Sequence, residues 1–223
     1  MTDAAIPGQE PSHPSKLRLL DAALKVFRAK GYTATRLEDI CAEAGVTKGS
    51  FFHHFSGKED LAVAAAGHWS ATSGEFFRQA PYQAHGDPLV RLLAYVDFRK
   101  SLLRGEPAAF TCLAGTLVQE TFETSPAIRE ACDGAICGHA AAVARDIAEA
   151  KARYAPDAAW TAEGLALHTQ AVIQGAFILA KARHDAQVAV DSLDHLRRYL
   201  ELLFNPPKEE TCSHPAGPSS GTN

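Results

Sequence analysis

Thr47, Lys48 and Ser50 follow Gly45 within five residues, and two hydroxyls and an ammonium so spaced can hydrogen-bond base edges and phosphate oxygens. His53 and His54 close the same stretch. Neighbours on a helix point about 100° apart and cannot readily chelate one ion, so this pair reads as a nucleic-acid contact rather than a metal site. Cys112 is a second candidate, because it lies near the start of a helix that follows Gly105-Glu106-Pro107. A helix N-terminus favours the thiolate, which suits a sensor that is alkylated or oxidised; the alternative is a buried structural thiol. Cys132, Cys137 and His139 form the best metal-like cluster. On a helix 132 and 139 share a face and 137 does not, whereas structural tetrahedral sites usually take four ligands at closer pairings. We therefore expect no metal and no cofactor.

The elements that position the first group are short helices. Leu37, Ile40, Cys41 and Ala44 give one helix an apolar face, and Gly45 ends it in the left-handed conformation. Thr47 can cap the next helix, whose first turn is Lys48, Gly49 and Ser50. That layout is a helix-turn-helix, in which the second helix offers its N-terminal residues to the major groove. Upstream, Leu17, Leu20, Leu24 and Phe27 predict a helix from Ser15 to Lys30, stopped by Gly31. Thr35-x-x-Glu38 and Ser56-x-x-Glu59 each fit a capping box, at the starts of the second and fourth helices. The fourth runs from about Gly57 to Gln79 with Leu61, Ala65, Trp69, Thr72 and Phe76 on one stripe, long enough to reach into a second domain.

The rest reads as helical, with candidates at 88–104, 108–122, 126–153, 157–184 and 187–204 and no strand-like alternation. The fold class is all-α: a disordered arm over 1–14, a three-helix helix-turn-helix domain over 15–60, a larger helical ligand-binding and dimerisation domain over 61–204, and a disordered tail over 205–223 carrying Cys212. Ala189, Leu193, Leu196, Leu200 and Leu203 form a heptad-like seam, and Ala171 to Ala180 is apolar nearly all round. A four-helix bundle between two copies, using both helices of each, accounts for these better than a monomer core does. Tyr95, Phe98, Trp160 and Phe177, with Cys112 and the polar Gln119, His168 and Gln170, are candidates to line a small-molecule cavity.

A hydrophobic content of 46% is enough for a packed core, and the net charge of −4 excludes a broadly basic nucleic-acid coat. Its distribution matters more: residues 12–50 hold seven basic and four acidic groups, a local excess of +3. No apolar run of about 18 residues and no leader pattern occur, so a cytoplasmic protein without a membrane partner is expected, its five cysteines reduced.

Ala22-Ala23, Phe27, Gly31-Tyr32, Thr35, Leu37-Glu38-Asp39-Ile40, Ala44-Gly45-Val46, Lys48-Gly49-Ser50, Phe52-His53, Phe55, Lys58-Glu59 and Leu61 together resemble the tetracycline-repressor (TetR) family of bacterial regulators over about 45 residues. The resemblance implies that Thr47, Lys48, Ser50, Phe51 and His53 face the major groove, with Gly49 among them, and that Thr35, Arg36, His54 and Lys58 contact phosphates. Phe52 stands where tyrosine is common, His54 where it is frequent, and Arg36 replaces a small hydroxyl residue. Residues 111–120, TCLAGTLVQE, resemble a subset of that family linked to small reactive metabolites. The expected function is a ligand-responsive, DNA-binding regulator, a repressor released from a palindromic operator by a small-molecule or electrophile inducer. A helical thiol or metal enzyme is the rival, but the chain lacks a spaced nucleophile–base pair, a phosphate loop or a cofactor motif.

Overall fold

The computed structural model describes residues 13–204, which are helical with no strand among them. The arm over residues 1–12, the tail over 205–223 and Cys212 lie outside the described residues. Helix α1 (Pro14–Lys30) starts on a proline, whose missing N–H costs nothing in a first turn. Its buried face is Leu19, Leu20, Ala23 and Phe27, with Leu17 exposed, so the helix is rotated from the stripe its leucines suggest. Gly31 ends it at φ 81°, and a Cβ there would run into the Glu120 carboxylate that the Tyr32 and Thr33 N–H groups hold in place. Both conformation and close approach require glycine.

Helices α2 (Leu37–Ala44) and α3 (Lys48–His54) make the helix-turn-helix, with Gly45 left-handed at φ 62° between them. Thr47 caps α3, its Oγ1 accepting from the Ser50 N–H at 3.2 Å. The other two boxes slip by one residue. At α2 the cap is Arg36, whose N–H donates to Asp39 Oδ2 at 3.0 Å, while Thr35 donates to the Gly31 carbonyl at 2.6 Å. At α4 (Lys58–Arg78) the Ser56 N–H donates to Asp60 Oδ2 at 2.9 Å, and Glu59 instead accepts from the Ser125 hydroxyl.

The second half comprises α5 (Pro88–Ser101), α6 (Pro107–Phe110), α7 (Leu113–Thr121), α8 (Pro126–Tyr154), α9 (Ala162–Arg183) and α10 (Gln187–Phe204). The expected helix 108–122 is broken at Thr111-Cys112, and α9 begins only where Thr161 can cap it. Two apolar cores result. The first joins α1, α2 and α3 to Leu61, Ala62, Ala65 and Ala66 of α4, Leu113, Ala114 and Leu117 of α7, and Ile128 and Cys132 of α8. The second is built from α5, α8, α9 and α10, with Phe77 from the far end of α4. Helices α4 and α8 therefore belong to both cores. Ala189, Leu193, Leu196 and Leu200 of α10 are buried inside their own chain, so the heptad-like seam serves the monomer core and not a partner. Ala176 and Ala180 of α9 are buried in the same core.

Candidate nucleic-acid interface and effector cavity

Helix α3 has a buried back and an exposed front. Phe51 is 0% exposed and packs against Phe55 with ring centroids 5.8 Å apart. It is a core residue, which corrects its expected place in the groove. Thr47, Lys48, Gly49, Phe52 and His53 are exposed and Ser50 is half-buried. Phe52, 56% exposed, belongs with this front; adjacent phenylalanines gave no signal as to which one faces in. Lys48 pairs with Glu38, an exposed contact that a phosphate or salt readily displaces.

The expected phosphate contacts divide. Arg36 is exposed and free to reach a backbone. Thr35 is 1% exposed with its hydroxyl committed to Gly31, so it holds the turn and touches no ligand. Lys58 Nζ donates to the Tyr32 and Thr35 carbonyls, each at 3.0 Å, and lies 4.4 Å from the Tyr32 ring centroid. It ties α4 to the α1–α2 turn. His54 Nε2 hydrogen-bonds the Ser15 hydroxyl at 2.6 Å, and burial, then His53, His13 and Lys16, hold its imidazole below the usual histidine range. It is a neutral group in the frame.

A cavity of about 290 Å³ lies between α4, α5, α8, α9 and the α6–α7 corner. Its wall is mostly apolar: Trp69, Phe76, Phe77, Leu102, Phe110, Ile136 and Phe177, interrupted by Arg99, Cys112, His139, Gln170 and Gln174. Of the expected lining residues it contains Cys112, Phe177 and Gln170. Tyr95 stands behind the wall, 1% exposed, its hydroxyl 2.9 Å from His139 Nε2. Phe98 packs on Phe76 and Phe77 without lining the space. Gln119 lies in an adjoining cleft of about 240 Å³. Trp160 and His168 do not belong here: Trp160 packs on Phe204, and His168 meets Tyr199 with centroids 5.2 Å apart on the outward side of α9. Trp160 is expected there for its aromatic area and His168 for its polar ring, and neither property fixes the direction in which a helix turns it. A larger depression, about 680 Å³, lies beyond His139 and is lined by Arg78, Arg145, Asp146 and Glu149. Its charged wall suits solvent, whereas the smaller, aromatic space suits an organic molecule.

Cys112 is the N-cap of α7, its Sγ accepting from the Gly115 N–H at 3.4 Å. The thiol and Lys181 line the adjoining cleft together, and burial lowers the proton affinity of Lys181 and of Arg28. Neither makes an ion pair among the described residues. Cys132 is different: burial pushes its thiol up to about 12. Among the described residues no group of three His, Cys, Asp or Glu is placed to hold an ion, and no helix is long and apolar enough to cross a membrane.

At the other end of α7, Glu120 accepts from the Tyr32 N–H at 3.1 Å and the Thr33 N–H at 2.8 Å. One short helix thus lines the cavity at its start and grips the α1–α2 turn at its end.

Residues 19–65 match a family model described as bacterial regulatory proteins, tetR family, and residues 88–191 match one described as the LmrA/YxaF-like transcriptional regulator C-terminal domain. The HTH-type transcriptional regulator LmrA of Bacillus subtilis is 33% identical over 129 residues, covering 53% of this chain and 63% of the relative. The chain thus spans less than two thirds of that relative's length. Among solved structures, the regulatory protein TetR from Rhodobacter sphaeroides superposes with a TM-score of 0.74 at 25% identity, covering 86% of this chain and all of the other. A TetR transcriptional regulator from Chloroflexus aurantiacus gives 0.73 at 26% identity, covering 84% and 94%. With one family model lying on the helix-turn-helix and a second on the helices that enclose the cavity, this chain belongs to the TetR family of bacterial transcriptional regulators.

Proposed function

We propose that this protein is a cytoplasmic repressor that binds a palindromic operator as a homodimer and leaves it when an inducer occupies the cavity. Residues 15–60 would be the DNA-binding domain and 61–204 the ligand-binding and dimerisation domain. The observation that carries the reading is the two-sided α3: a phenylalanine back locked in a core, and a front of Thr47, Lys48, Ser50, Phe52 and His53. Side chains on such a front can read base edges because their backbone does not move. Arg36 would add a phosphate contact. Two copies would place their α3 helices in successive grooves, about 34–36 Å apart or a multiple of it.

The cavity has two routes to α3. Trp69, Thr72, Ser73 and Phe76 on its wall share α4 with Leu61, Ala62, Ala65 and Ala66, which build the core behind α3. Cys112 on its wall shares α7 with Glu120, which holds the turn before α2. An inducer that shifts either helix changes the separation of the two reading heads. Reversing occupancy from 99:1 to 1:99 requires a preference of about 5.5 kcal/mol for the released state.

The test is a mobility shift on DNA upstream of the protein's own gene, across a salt series. Lys48→Ala is expected to weaken binding, reduce the salt slope by about one and leave the melting temperature unchanged. Salt-independent binding, or none at low salt, would remove the reading.

The place of Cys112, a half-buried thiol on the wall of the cavity and of the adjoining cleft, supports a second kind of inducer, an electrophile that alkylates it. N-ethylmaleimide is expected to release the wild type from DNA but not Cys112→Ser. Cys137 is the more exposed thiol, but Asp133 raises it, so Cys137→Ser should be released like wild type. Release of Cys112→Ser at the wild-type rate would exclude Cys112.

A further inference from the structure

We infer that the molecule the cavity takes is a small carboxylate with a flat apolar body, and that Arg99 is the residue that selects it. This rests on the reading of the cavity as the effector site and specifies its chemistry. Arg99 reaches the wall from α5, and its guanidinium lies over three rings, with centroids at 4.9 Å for Phe77, 5.9 Å for Tyr95 and 6.0 Å for Phe177. Among the described residues it has neither an ion pair nor a side-chain hydrogen bond.

Four other cations of this half already hold carboxylates. Arg91 holds Asp146 and Glu149, Lys100 holds Asp194, Arg153 holds Asp87, and Arg197 holds Asp97 and Glu201. The carboxylate nearest in sequence, Asp97, is thus already taken by α10. A guanidinium keeps its charge and presents five donors in a plane, matched by a carboxylate in bidentate fashion. The rings supply a cation–π field but accept no N–H in that plane.

No aspartate or glutamate lines the cavity, so a cationic ligand would meet Arg99 without compensation. A second polar side chain, His139, lines the same space. Gln170 Nε2 donates to the Tyr95 hydroxyl at 3.3 Å, and that hydroxyl lies in hydrogen-bond contact with His139 Nε2 at 2.9 Å. Burial and the Arg99 charge drive His139 down to about 3, so the imidazole adds no second charge to the wall. A cation without a carboxylate partner, set among phenylalanines, favours an anionic head on an apolar body. At about 290 Å³ the space is near the lower limit of small-molecule pockets, which favours one or two rings over a larger skeleton.

The test is a panel of benzoate, phenylacetate, cinnamate and 2-naphthoate, each beside its primary amide and its primary amine. Binding to the full chain is followed by quenching of Trp69, which lines the cavity, and by thermal shift. Trp160→Phe removes the other indole from the signal. At least one acid is expected to bind, its amide roughly ten- to a hundredfold more weakly and its amine not at all. Arg99→Gln should lose acid binding by the same factor, and Arg99→Lys should restore part of it. No acid binding, equal binding of acid and amide, or wild-type acid binding by Arg99→Gln would overturn the assignment. Acid binding that depends on Arg99 but leaves operator affinity unchanged would keep the anion site while removing the regulatory reading of the cavity.

Discussion

Phe51→Ala is expected to abolish operator binding by loosening the three-helix module, not by deleting a contact with DNA. The side chain is fully buried, with Phe52 edge-on at 5.2 Å and Phe55 at 5.8 Å. Truncating a buried phenylalanine costs about 3–5 kcal/mol, because the apolar transfer is lost and a cavity remains. A module carried by three short helices has little stability in reserve against that loss. Phe51→Leu keeps most of the volume and should cost less than about 1.5 kcal/mol, with DNA binding retained. Circular-dichroism melts beside mobility shifts separate the cases. Lost binding with an unchanged melt in Phe51→Ala would return Phe51 to the groove.

The contrast with Lys48 shows how far residue order alone could go. Periodicity located the helices of the module, and Gly31, Gly45 and Thr47 marked their ends, because left-handed caps and hydroxyl N-caps depend on one residue each. The other two caps slipped by one position because an acid stands beside an acid: Glu38 beside Asp39, and Glu59 beside Asp60. Choosing between neighbours requires the entry angle of the chain. On α2 that angle is set by Thr35 closing onto Gly31, and on α4 Ser125 takes Glu59 away. The same limit governed Phe51 and Phe52, since a seven-residue helix holds barely two turns in which a face can declare itself.

The cavity was less legible still. Trp69, Thr72 and Phe76 were visible as a stripe on α4, but nothing local said that the stripe faced a space rather than a core. Arg99 and His139 come from helices 40 positions apart and meet only through packing. Trp160 and His168 failed for the converse reason, having the right chemistry on elements that turn elsewhere.

Replacing Ile178 and Leu202 with glutamate is expected to leave a folded monomer whose operator affinity is about 10²–10⁴-fold lower. The seam of α10 is already buried in its own chain, so the pairing of copies proposed for α9 and α10 must use what remains outside. What remains is apolar: Leu167, Ile178 and Leu179 on α9 are 49–50% exposed, and Tyr199 and Leu202 on α10 are 42% and 57% exposed. In the proposed homodimer these side chains on two adjacent helices would form the association surface. Because they touch little within the monomer, charge there should change its stability by only about 0.5 kcal/mol. The effect on DNA is large for a separate reason. Residues 12–50 carry a surplus of only +3, so on the proposed homodimer reading most of the affinity would come from two heads fixed at one separation. Sedimentation equilibrium beside the mobility shift tests both halves. A double variant that stays dimeric places the interface elsewhere, and a monomer with undiminished affinity shows that one head suffices.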